Sequence, residues 1–479
     1  MNYRAGLTLV FAVITGCAGL PQKHEPVKLS SSAPLEGLQE QTGGAWPAPE
    51  WWKRYDDTTL DQLIELGGAN SPTLATAHAR YDSARQSVRL AAAESGAHLD
   101  ATADANRQRL SDNGLFPPQL LGFTWYNQFD LGLQASYTFD WWGKQRNAVD
   151  AAIDQAHAAQ ADRSAAALML ASSIADAYFG WQSDQNRLLL AQERLATVEA
   201  QARITNARVR ADLDSADEID NSDLALAAAR EQIAVLQGSA KLRIVALAAL
   251  VGSNISDLPP LSAKPLPTVS AALPDDVKID LIARRADITA SRWRVESAEK
   301  TLASARADFF PDITVNALLG VSSLDIGKLL EYGSRVPQVG GAIHLPIFDA
   351  GRIKARYGGA QAAVDSAVSA YQDTVVSAAR DVAAQATTRA QIEAQRAQRT
   401  KQVAAALRMK STAAARVRQD VADARGELTA TASWIEQRDA LLQLDAAALS
   451  ADIALQRALG GGYQSPQRLA NTSAGPAPP

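Results

Sequence analysis

Cysteine, methionine, histidine and aromatic side chains are all scarce in this chain. Its 479 residues hold one Cys, three Met, five His and 6% aromatics. A single cysteine excludes an internal disulfide and any cysteine-rich zinc site. His24, His78, His98, His157 and His344 show no ligand spacing, so no metal centre is expected. No run of eighteen apolar residues follows residue 20, and no transmembrane helix is expected in the mature chain. The formal net charge is −5 with no basic block, which argues against a nucleic-acid partner. Neither a nucleophile–base pair, a P-loop nor a G-x-G-x-x-G cradle occurs, so no catalysis and no cofactor is expected.

What the chain does have is alanine, which visibly carries the 47% hydrophobic share. Alanine is the best helix former and lets backbones approach closely, so long, tightly packed helices are expected rather than a bulky α/β core. The amino terminus reads as an address. One positive charge (Arg4) precedes an apolar run from Leu7 to Ile14, then Thr15-Gly16-Cys17. The run is too short to span a bilayer but suits a secretory signal. Ile-Thr-Gly-Cys resembles a bacterial lipobox, which makes Cys17 the lipidation site; Ala18 in place of aspartate favours outer-membrane sorting by the same resemblance. Residues 18–45 are rich in Pro, Gly, Ser and Gln and read as an extended tether.

The rest of the chain is duplicated. Arg208-Val209-Arg210-Ala211-Asp212 and Arg416-Val417-Arg418-Gln419-Asp420 lie 208 residues apart, as do Gly143-Lys144 and Gly351-Arg352. Upstream the offset is 214, linking Leu74 to Ile288, Ser83-Ala84 to Ser297-Ala298 and Leu99 to Ile313. The first copy therefore carries six extra residues between 99 and 143. Each copy reads helix, two strands, long helix, turn, long helix. In the first, Leu99, Ala101, Ala103 and Ala105 alternate with Asp100, Thr102, Asp104 and Asn106; Phe129 to Phe139 alternate likewise. The second repeats this at Ile313–Val321 and Val339–Ile347. Strict period two gives each sheet one apolar and one polar face. Strands of about ten residues suit a tilted crossing of a bilayer. Four strands cannot close a barrel, and open edges are not tolerated in lipid, so several chains would have to share one.

The stretches from Gly143 to about Ala211 and from Gly351 to about Gln419 contain no proline. At 1.5 Å per residue each would extend about 100 Å. Ile353, Tyr357, Ala360, Val364, Ala367, Tyr371, Val375, Ala378 and Val382 keep the alternating three–four spacing of a coiled-coil seam.

Several segments together resemble TolC/OprM-type outer-membrane efflux proteins of the NodT lipoprotein subgroup, and within it the multidrug and fusaric-acid resistance type. They are Trp51-Trp52 with Leu60, Leu63 and Asn70…Pro72…Leu74, YTFDWWGKQRNAVDAA at 137–152, DLIARRADITASRW at 280–293, FFPDI at 309–313, LPIFDAGRIKA at 345–355 and ALGGGY at 458–463. Ala97 and Ala286 depart from that pattern, standing where proline is usual. The resemblance implies a mainly α protein with a membrane β-barrel: a homotrimer sharing one 12-stranded barrel and a coiled-coil periplasmic tunnel. It further implies a periplasmic membrane-fusion adaptor and an inner-membrane efflux pump as partners, with outer-membrane lipid around the barrel. The expected layout is a signal peptide at 1–16, a lipidated tether at 17–45, a first repeat at 46–251 with strands near 99–110 and 126–139, and a linker at 252–274. A second repeat follows at 275–460, with strands near 312–321 and 337–347, then a flexible tail at 461–479. The same fold serving type I polypeptide secretion, or a pore-less periplasmic scaffold, are the alternative functions.

Two groups of residues are candidates for mechanism. Arg208, Arg210, Asp212, Asp214 and Asp217, with Arg416, Arg418, Asp420 and Asp423, surround the two turns between long helices. By the resemblance these turns form the periplasmic tip, so the charges would make a paired aperture that an adaptor loosens. Ordinary helix-end electrostatics would also place acids at helix starts and arginines at helix ends. Asp212 and Asp420 stand where the family usually has glycine. Trp141 and Trp142 fall where strand becomes helix, at the expected membrane boundary, and packing between strands and helices is an equal reading.

Overall fold

The computed structural model describes residues 42–113, 117–268, 273–274 and 277–464. Cys17, the signal segment and nearly all of the tether therefore lie outside the described residues, as does the tail beyond 464. In chain order the elements are β1 (Thr42–Gly44), α1 (Thr58–Asn70), α2 (Pro72–Glu94), β2 (His98–Arg109), α3 (Pro118–Leu121), β3 (Trp125–Phe139), α4 (Lys144–Arg210) and α5 (Asp217–Val251). They continue with β4 (Leu273–Pro274), α6 (Val277–Arg284), α7 (Ala286–Ala307), β5 (Asp312–Ser323), β6 (Arg335–His344), α8 (Arg352–Arg418) and α9 (Ala424–Ala458).

The duplication shows in these bounds. β2 and β5 both have 12 residues and are offset by 214 at both ends. α4 and α8 both have 67 and are offset by 208 at both ends. α5 and α9 both have 35. Proline-free, alanine-rich sequence lets the long helices run unbroken, and caps fix where they start. Asp140 accepts the backbone N–H groups of Gln145 and Arg146 at the head of α4, and Asp349 accepts that of Ile353 at the head of α8.

The described residues fall into two compact units. One comprises 82–158 and 292–370 and holds an antiparallel sheet in the order β2-β3-β5-β6. Leu99 faces Ala135, Ala135 faces Ala317, and Ile313 faces Ile343. Every pairing sets odd residues opposite odd, so the apolar face is continuous across four strands. Among the described residues, β2 and β6 each keep one edge unpaired. β6 stops at His344, short of the expected Ile347, because Pro346 has no N–H to donate and, among the described residues, no strand lies beside residues 345–347.

In the same unit α7 packs on the start of α4. Ser297 and Ser304 donate their hydroxyls to the carbonyls of Ala151 and Lys144, and His157 lies against Trp293. Asp308 receives Lys144 Nζ at 2.9 Å and Arg356 at 2.8 Å. Burial alone would lower the Lys144 ammonium, but Asp308 and Asp312 outweigh it and hold it above its ordinary value.

The other unit comprises 42–81, 159–291 and 371–464 in its described part. Its core gathers Trp51, Tyr55, Leu60, Leu63, Ile174, Tyr178, Phe179, Leu247, Val251 and Leu449. Asp452, with no exposed surface, accepts hydrogen bonds from Tyr55 and Arg389, so its buried charge is compensated. Burial, reinforced by Asp452, pushes the Tyr55 hydroxyl up. The segment after α5 is zipped onto α4 by two amides one turn apart: Gln182 binds Ser262 and Lys264, and Asn186 binds the Lys264 carbonyl. Lys264 and Tyr178 both donate to Asp57, which caps α1. Burial would raise that carboxyl, but these hydrogen bonds prevail and hold it below its ordinary range. α9 ends in Gly460, Gly461 and Gly462, all at positive φ; at Gly460 and Gly462 an added Cβ would meet the backbone of Arg284 and of Ala48.

One helix needs separate mention. α5 is long and apolar enough by composition to cross a membrane. Arg243 in its interior, however, donates to Asp184 of α4 at 2.8 Å. The helix thus belongs to the bundle of this unit.

Candidate functional site: membrane sheet and helical tip

The sheet exposes its apolar side. Leu99, Leu131, Leu133, Tyr137, Phe139, Leu319, Val339 and Ile343 are all exposed on the odd-numbered face. An exposed apolar surface this continuous marks a lipid or protein contact rather than a solvated face. The even-numbered side carries Asp100, Thr102, Asp104, Gln134, Ser136, Thr138, Thr314 and Asn316. At the strand–helix junction the two tryptophans differ. Trp142 stacks on Phe310 at 4.5 Å and donates its Nε1 to the Pro311 carbonyl, whereas Trp141 is 69% exposed and projects outward. Trp142 thus serves packing between strand and helix, and only Trp141 offers its whole ring to the surroundings.

The two turns between long helices are built alike. Asp212 has φ 53° and Asp420 has φ 55°. In the first, the Leu213 N–H reaches the Arg208 carbonyl and the Asp212 N–H that of Val209; in the second, Val421 reaches Arg416 and Asp420 reaches Val417. Both are Schellman turns, in which a left-handed residue lets the chain satisfy the last helical carbonyls. Aspartate fills the position that glycine favours, at a steric cost.

Their side chains are not alike. Arg208 grips Asp214 with two parallel hydrogen bonds, 2.7 and 2.9 Å. That grip, opposed by partial desolvation and aided by the charges of Arg208 and Arg425, holds the Asp214 carboxyl below its ordinary range. Arg425 reaches Asp214 at 3.4 Å and Asp423 at 3.1 Å, so it ties the second turn to the first. Asp423 also caps α9 through the Arg425 N–H, which leads the effects that lower its carboxyl. In the second copy Ala422 stands at the repeat position of Asp214, so Arg416 finds no equivalent partner. Among the described residues no ion pair reaches Arg210, Asp212, Asp217, Arg416, Arg418 or Asp420, all of them exposed. Asp217 opens α5 together with Glu218 and Asp220, where helix-end electrostatics account for it. Of the nine charges singled out in the sequence, the structure joins Arg208, Asp214 and Asp423, and it adds Arg425.

Residues 63–253 and 279–461 match the family profile described as Outer membrane efflux protein. The chain belongs to that family. It is 30% identical over 463 residues to "Multidrug resistance outer membrane protein MdtP" of Escherichia coli (strain K12), covering 95% of both chains. Among solved structures it is similar to the outer membrane protein VceC of Vibrio cholerae, with 31% identity, a TM-score of 0.79 and coverage of 88% of this chain and 100% of that one. The outer-membrane channel OprN matches at 25% identity and a TM-score of 0.82, covering 93% and 99%. As an outer membrane efflux protein, the chain has its exposed apolar strands in the outer membrane and is a channel by kinship. Among the described residues no group of three or more His, Cys, Asp or Glu could hold a metal.

Proposed function

We propose that three copies of this chain form the outer-membrane conduit of a tripartite efflux system. The observation that carries this reading is the four-stranded sheet with an exposed apolar face and two edges unpaired among the described residues, in a chain that also holds two matched 67-residue helices. Unpaired edges cannot face lipid, so closure requires further copies, and three give twelve strands. The polar sheet face then lines water. The relatives named for multidrug resistance favour small toxic compounds as cargo over secreted polypeptides, and the membrane sheet disfavours a pore-less scaffold. An inner-membrane pump supplies the energy and a periplasmic adaptor joins pump to channel. Cys17 carries the lipid, beside a barrel that is itself an anchor.

The tip is the gate in this reading. Arg208–Asp214–Arg425–Asp423 holds the two turns of one copy together, and the adaptor opens the aperture by competing for these charges. Exposed Arg416, Arg418 and Asp420 remain for contacts between copies or with the adaptor. Surface ion pairs contribute little singly, so threefold repetition is what makes their removal visible. Reconstituted in planar bilayers, the full chain is expected to give discrete single-channel currents, and Arg208→Ala with Arg425→Ala to raise the unitary conductance. Absence of any current would defeat the channel reading. Unchanged conductance in the variant would return the cluster to a purely local role.

A further inference from the structure

The sheet sorts its charges by face. Its four strands hold four acidic residues, Asp100, Asp104, Asp130 and Asp312, and all are even-numbered. They hold three arginines and lysines taken together, Arg107, Arg109 and Arg335, and all are odd-numbered. Odd residues stand opposite odd in every pairing, so the arginines share the exposed apolar face and the aspartates the polar one. Position along the strands is just as selective. Arg107 and Arg109 close β2 and Arg335 opens β6, so all three stand at the end of the sheet away from the heads of α4 and α8. The helix end of the same face carries exposed Tyr137, Phe139 and Trp141 instead.

Strand length puts the arginines at a membrane margin. Trp125 and Tyr137 lie twelve residues apart on β3. At about 3.4 Å per residue and a tilt near 45°, that separation rises about 29 Å, a little more than the apolar band of a barrel at about 25 Å. Trp125, 54% exposed, therefore marks the far margin, and Arg107 lies over its ring at 5.7 Å. Arg335 lies over Tyr332 at 4.5 Å in the same manner. A cation on the lipid side is least costly at such a margin, where it reaches past the hydrocarbon.

What two of these arginines lack is an anion. Among the described residues no ion pair reaches Arg107 or Arg335, whereas Arg109 is held by Asp112 at 3.1 Å. Of the acids in the β5–β6 connection, Asp325 caps its own turn through the Gly327 N–H, and Glu331 makes no ion pair among the described residues. A ring beneath a guanidinium covers one flat side and leaves the N–H edge free, and that edge matches two phosphate oxygens. We infer that Arg107 and Arg335 take the phosphate groups of a phosphorylated glycolipid in the outer leaflet, whose acyl chains lie along the apolar strands. This rests on the reading above, in which the helices point into the periplasm. A headgroup with two phosphates suits cations on the first and last strands of one sheet. The exposed Asn127 amide, directly opposite Arg107 on the same face, suits sugar hydroxyls.

Native mass spectrometry of the purified full chain with bisphosphorylated lipid A tests the site. The unmodified chain should retain this lipid about tenfold better than its dephosphorylated form, since each basic residue at an anionic lipid surface favours binding severalfold. Arg107→Gln with Arg335→Gln should bring retention of the bisphosphorylated form down to that of the dephosphorylated one. Gln108→Ala, on the polar face, should leave it unchanged. Equal retention of the two forms by the unmodified chain would mean apolar contact alone, with the arginines merely reaching water, and would overturn the site. Retention untouched by the double substitution, or lowered as much by Gln108→Ala, would overturn the arginine assignment. Phosphatidylglycerol held as firmly as lipid A would overturn the glycolipid. If the double variant does not assemble, Arg335→Gln alone replaces it, and the comparison of the two lipid forms needs no variant. Single-channel currents from the same preparations separate this inference from the proposed function. An unmodified chain that conducts without preferring the phosphorylated lipid sinks the site alone; one that prefers the lipid but never conducts sinks the function alone.

Discussion

Asp214 is the titrating group on which the tip depends. Its carboxyl lies below the ordinary value of about 3.9, so the pair with Arg208 stabilises the turn fully above that value and loses its contribution as pH falls through the lower folded one. Exchange protection of the tip amides, corrected for intrinsic rate, should therefore be flat from neutral pH to about 5 and drop below about 4. Asp214→Asn should shrink the step and lower protection at neutral pH, leaving the part that belongs to Asp423. A wild-type profile without a step would mean the carboxylate adds nothing to the turn. Arg425 could not be read from the sequence as part of this cluster. It lies 211 residues from Asp214, and only the apposition of the two turns brings them together. Asp212 and Asp420 were legible as turn residues because both stand, at repeat-related positions, where the family usually has glycine, and both prove to have positive φ.

Strand faces are the element-scale feature with the sharpest consequence. Leu133 stands on the exposed apolar side and Gln134 on the other. Arginine on the lipid side near the bilayer midplane costs about 2–4 kcal/mol, so Leu133→Arg should reduce the heat-resistant oligomer markedly while Gln134→Arg leaves it nearly unchanged. Equal effects would mean the sheet does not face lipid as assigned. Alternation made these faces readable from sequence, and the absence of proline did the same for α4 and α8. The end of β6 was not readable, since a strand's length depends on its neighbour as well as on its own residues. The zipper of Gln182 and Asn186 was equally hidden: ordinary amides on a helix acquire a role only once an irregular segment is laid beside them.

For the whole molecule, two anchors are proposed, the lipid on Cys17 and the barrel, and they are separable. Cys17→Ser should abolish lipid labelling yet leave most of the chain in the outer-membrane fraction, because twelve strands bury far more apolar surface than one lipid anchor. Complete release into the periplasm would make the lipid the principal anchor. The six residues that the first copy carries beyond the second have a bearing on evolution and on engineering. They lie between β2 and β3, where the offset changes from 214 to 208, and the hairpin registers on either side are undisturbed. An insertion has thus already been accepted there without disturbing either strand. The segment 110–124 is accordingly the place to graft an epitope or a display peptide.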